Sequence, residues 1–166
     1  MNNTVQHLTA KRFDGYAAVR LPSELDDVVC AVVADYRAAS PERRREIADS
    51  VPSRAAGVLS AFGRRAAAMA VRTGSVRWLR DGLVATGLAQ SRLNDPRNNL
   101  ITLAAVNHSA EVLGTDLAVL VGELGGELPA GAAQSFRDFA ARQPQHKSLT
   151  SMGLRIWGEG DSFTYV

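Results

Sequence analysis

Asn107, His108 and Ser109 are three consecutive side chains that could do chemistry, and they interrupt an otherwise apolar segment. An imidazole titrates near neutral pH and can serve as base, donor or ligand. The other histidines, His7 and His146, are distant in sequence, and the three show no metal-ligand spacing. The chain has no phosphate-binding loop and no nucleophile elbow. Asp26-Asp27 are adjacent carboxylates, but a helix start explains them, because the dipole favours acids there. Gly158-Glu-Gly160 reads as a turn. No catalytic residue, metal site or cofactor is assigned from these residues, and the balance is against an enzyme.

Two other groups suit recognition better than catalysis. Arg77, Trp78 and Arg80 open a helix, and an exposed Trp among arginines is what an interface hot spot looks like. Core packing of Trp78 is the alternative, and Arg77 with Asp81 forms an i, i+4 pair. Arg92, Asn94 and Arg97 lie in a donor-rich stretch from Ser91 to Asn99. That stretch reads either as a recognition loop or as helix capping by Asn94 or Asp95. If Asn107 and His108 are buried, each needs a hydrogen-bond partner. They then form either a core network or a ligand pocket.

The elements that position these residues are mostly helical. Hydrophobic residues make up 46% of 166 but aromatics only 6%, so Ala, Val and Leu must fill the core. Residues 1–22 are polar and irregular, with a possible short strand from Tyr16 to Leu21. Ser23 is a candidate cap for a first helix whose Leu25, Val28, Val29, Val32 and Tyr36 form one stripe. Ser40-Pro41 opens a second helix that Pro52 ends. A long helix is predicted from Arg54 to Thr73, with Leu59, Phe62, Ala66, Met69 and Ala70 inward and Gly74 as its stop. Ser75 is the expected cap of the next helix, which buries Val76, Leu79 and Leu83. After a loop at Gln90–Asn94, Pro96 opens a helix to Leu113. Asp116 caps another to about Leu124, and a last helix spans about Ala132 to Arg142. Leu154–Trp157 and Phe163–Val166 alternate about a turn and predict a C-terminal β-hairpin.

The fold expected is all-α, built of antiparallel helical hairpins, with that small β-hairpin. Its organisation is an irregular segment at 1–22 and a single helical domain at 23–166, the hairpin occupying about 154–166. Val76, Leu79 and Leu83 match Leu117, Leu120 and Leu124 in register, 41 residues on. That offset suits a short HEAT-like α-solenoid and equally a bundle of similar hairpins. Asn99–Gly114 and Lys147–Gly153 are similar to segments of small, uncharacterised bacterial α-helical proteins, HEAT-like among them. The resemblance covers about Arg54 to Val166 and implies a helical fold without a function.

Charge is unevenly distributed. Arg37 to Arg97 holds twelve arginines against five acids, a local +7 in a chain of net +2. Solvated helix faces or an acidic docking partner both account for it. The lone Cys30 excludes an internal disulfide and fits a reducing, cytoplasmic setting as a buried thiol. No apolar run is long enough to span a bilayer, and no secretory signal opens the chain. The leading expectation is a non-enzymatic protein-interaction module, an adaptor or immunity-type binder using a helical face. The alternatives are nucleic-acid or acidic-partner binding through the basic 37–97 segment, and an enzyme or small-ligand binder at Asn107/His108. The oligomeric state is left open.

Overall fold

The computed structural model describes residues 22–92 and 97–142, the side chains of 22–26, 54, 97, 98 and 130 excepted. The possible strand at 16–21, Asn94 and Pro96, and the hairpin expected at about 154–166 lie outside the described residues. Within them the chain is all-helical: α1 (Pro22–Ala38), α2 (Pro41–Ser50), α3 (Ala56–Thr73), α4 (Arg77–Ala89), α5 (Arg97–Val112), α6 (Leu117–Leu124) and α7 (Ala130–Ala141). None of these helices is long and apolar enough to cross a membrane.

Local chemistry accounts for most of the boundaries. The Ser40 hydroxyl accepts the Arg43 amide at the start of α2, where Pro41 needs no partner for an N–H. Gly74, at φ 68, ends α3 in the left-handed conformation, and its N–H bonds Ala70. Asp116 accepts the Val119 amide at 2.9 Å and starts α6. Four starts differ from expectation. α3 begins at Ala56 rather than Arg54, after a 3-10 turn at Ser53–Ala55. α1 begins at Pro22, so Ser23 lies inside the helix rather than capping it. Val76, not Ser75, holds the cap position of α4; its carbonyl takes the Leu79 and Arg80 amides, and no side chain caps that turn. α7 begins at Ala130, two residues early, directly after Pro129, whose ring fixes the entry backbone. The loop expected from Gln90 contains a 3-10 turn at Gln90–Arg92.

α3 packs on both α4 and α5, α1 lies against α2, α3 and α4, and α6 pairs with α7. Leu59, Phe62, Leu79, Leu83, Leu103, Leu117, Leu120 and Phe136 are the large side chains fully withdrawn from water. Leu79, Leu83, Leu117, Leu120 and Leu124 of the repeat register are all buried, whereas Val76 and Met69 are half-buried. Cys30 is half-buried against the core rather than enclosed by it.

The tightest contact is made by small residues. A Cβ on Gly63 would stand 2.5 Å from the Thr102 methyl and 2.6 Å from the Thr86 hydroxyl. One on Gly82 would stand 3.0 Å from the Ala66 Cβ. Around this approach the helices share polar groups. Thr102 Oγ1 lies 3.1 Å from Ser60 Oγ and accepts from Arg64 Nη1 at 3.0 Å. Asn99 Nδ2 donates to the Thr86 carbonyl and to Gln90 Oε1.

Candidate functional site

Arginines tie the ends of the short helices together. Arg44 donates from Nε to the Tyr36 carbonyl (3.1 Å) and from Nη2 to the Arg37 carbonyl (2.8 Å), at the last turn of α1. Its guanidinium also stands 5.9 Å from the centre of the Tyr36 ring, within cation–π range. Arg92 does the same for α2, donating from Nε to the Val51 carbonyl and from Nη2 to the Asp49 carbonyl, each at 2.9 Å. Terminal carbonyls lack intrahelical partners and carry the negative end of the dipole, so a guanidinium there satisfies both demands. Arg37 is bound differently. It pairs with Asp81 of α4 at 3.0 Å and with Glu127 at 2.8 Å, which ties α1 to α4 and to the turn before α7. The bond to Glu127 is the main cause that raises its pKa, opposed by burial.

Along α2 this arrangement frames two open recesses. The larger, about 340 Å³, is lined by Tyr36, Leu128 and Pro129 together with the charged residues Arg44, Arg45 and Asp49. The smaller, about 190 Å³, lies between Gly87, Leu88, Gln90 and Arg92 on one side and Pro129 and Ala132 on the other. Ala48, Asp49 and Pro129 line both, so the recesses adjoin along α2. Tyr36 is buried, and burial pushes its phenol pKa above 10.0, with the Arg44 charge pulling the other way. Gln90 is held from behind, accepting from Asn99 at 2.7 Å and donating to Ser135 at 3.2 Å. Arg45 is exposed, and no hydrogen bond or ion pair holds it among the described residues.

The residues singled out from the sequence fall in separate places. Of those whose side chains are described, Arg92 alone lines the recesses. Asn94 lies outside the described residues, and of Arg97 only the backbone, the first residue of α5, is described. Arg77 is exposed over the Trp78 ring at 5.8 Å, while Trp78 is half-buried against the core. The expected Arg77–Asp81 pair is replaced by Arg37–Asp81, because Arg37 reaches Asp81 from α1 and Arg77 turns to Trp78. Arg80 bonds Glu123 of α6 at 3.0 Å. Asn107 is 5% exposed; its Oδ1 accepts the Leu117 amide at the first residue of α6, and its Nδ2 donates to Glu111. His108 is half-buried and lines neither recess.

Tyr36, Arg44, Arg45 and the Gly126–Pro129 turn were not singled out from the sequence. The Arg43-Arg44-Arg45 run was visible there, but only as charge. That Arg44 folds back eight residues to α1 depends on the angle between α1 and α2, which no spacing in either helix encodes. Among the described residues no group of three histidine, cysteine or carboxylate side chains is placed to hold a metal. Comparison with protein-family models, curated proteins and solved structures finds no match.

Proposed function

We propose that this chain is a non-enzymatic protein-interaction module, one cytoplasmic domain that receives a partner protein in the groove along α2. The observation that carries the reading is that two recesses adjoin at Ala48, Asp49 and Pro129, and that their lining combines apolar groups (Tyr36, Leu88, Leu128) with charged ones (Arg44, Arg45, Arg92, Asp49). An apolar surface with a polar rim is the usual anatomy of a protein-binding patch. The walls are preformed, since Arg44 and Arg92 are fixed to helix-end carbonyls, and a fixed wall loses little freedom when a partner docks. The 41-residue register between α4 and α6 is compatible with a HEAT-like arrangement, in which modules present helix-lined grooves, and equally with a bundle. The alternative pocket at Asn107 and His108 has less support, because the Asn107 amide is engaged on the start of α6.

A photo-reactive side chain tests this. Placed at Asp49 in the producing cell, it should yield one discrete crosslinked protein. Placed at Ala118, on the exposed side of α6, it should not. Equal crosslinking at both positions, or none at Asp49, overturns the proposal.

A further inference from the structure

The groove also indicates the chemistry of what it receives, an inference that rests on the reading above. Four arginines of this fold are anchored in two different ways. Arg37 and Arg80 face carboxylates, which cancel their charge locally. Arg44 and Arg92 face backbone carbonyls, which accept hydrogen bonds but carry no net charge. Both arginines of the second set line the recesses, and Arg45 lines one too. Against these three cations the described lining offers one carboxylate, Asp49, which leaves the groove at +2. Tyr36, Leu128 and Pro129 line the same recess and make its lining partly apolar.

We infer that the groove binds a partner segment that carries carboxylates next to an apolar side chain. Arg44 keeps Nη1 beyond the two donors that hold it in place, and Arg45 keeps its whole fork. A guanidinium already fixed in orientation loses little side-chain entropy when a carboxylate arrives, and charge-assisted hydrogen bonds are the stronger kind. Opposite potentials across the groove would set partner choice and speed of encounter.

The test is selection from a display library of random peptides on the immobilised full chain. Recovered peptides should be enriched in Asp and Glu over Lys and Arg, with an apolar residue at a fixed spacing. Their binding should weaken at least tenfold in Arg45→Glu and fall as salt is raised. Arg45 is exposed, so the variant should melt as wild type does; should it not, Arg45→Gln replaces it. No acidic enrichment, no recovered peptide, or indifference to both variants overturns the inference. So does a crosslink from Asp49 to a second copy or to another part of the same chain. A crosslinked partner at Asp49 without acidic enrichment would sink this inference and leave the groove reading standing. Failure of the crosslink itself sinks both.

Discussion

Asn107 and His108 are adjacent on α5, yet they face different surroundings. Asn107 joins two helices: its Oδ1 accepts the Leu117 amide, an orphan N–H in the first turn of α6, and its Nδ2 reaches Glu111. Replacing it with Ala strands a buried amide and should cost about 1–3 kcal/mol. His108 is half-buried, so His108→Ala should cost less than Asn107→Ala. Urea unfolding of both variants checks the order, and a larger loss for His108 would show that the imidazole is the joint. The sequence made this cluster legible as polar groups inside an apolar helix. It could not show that the Asn amide caps the following helix, because that requires the chain to turn at Gly114 and bring Leu117 alongside. The Arg77–Asp81 expectation failed for a related reason. An i, i+4 spacing makes a pair possible, but Arg37 from a separate helix reaches the same carboxylate.

At the level of elements, short-range signals were read well. Ser40-Pro41, Gly74 and Asp116 each mark a boundary by chemistry confined to a few residues, and each stands where spacing placed it. The α3–α4–α5 approach was not readable, because a glycine in a helical pattern looks the same whether exposed or pressed against a neighbour. Gly63 and Gly122 are both within helices, and the structure separates them. A Cβ at Gly122 meets nothing within 4 Å, so Gly122→Ala should stabilise by about 0.5–1 kcal/mol through helix propensity. At Gly63 the same methyl runs into the Thr102 methyl at 2.5 Å and the Thr86 hydroxyl at 2.6 Å, both on short β-branched side chains. Moving them would disturb the Ser60–Thr102 and Thr86–Gly82 bonds. Overpacking of this kind outweighs the propensity gain, so Gly63→Ala should destabilise by about 1–3 kcal/mol. Opposite shifts in melting temperature check the pair, and equal shifts would show that the helices can separate without cost.

For the whole molecule, the excess of arginine between residues 37 and 97 was plain in the sequence, and its disposition was not. A continuous basic face would make the chain a candidate for nucleic acid, since each neutralised phosphate adds counterion release. Among the described residues the fold sets only Arg44, Arg45 and Arg92 beside one groove and places the others apart. Arg37 and Arg80 are matched by Asp81, Glu127 and Glu123; Arg44 and Arg92 are anchored on helix ends. Arg64 is half-buried on Thr102, where burial and then the neighbouring Arg65 charge lower its pKa, and Arg65 is 7% exposed. What remains outward, such as Arg45 on α2 and Arg77 on α4, sits on different helices. Three cations beside one groove make a short track for a phosphate backbone that repeats its charge every few ångströms. Duplex DNA and single-stranded RNA should therefore show no saturable binding by fluorescence anisotropy at about 0.15 M salt. A tight complex whose affinity falls steeply with added salt would mean that these arginines act together after all, and would move the partner from protein to nucleic acid.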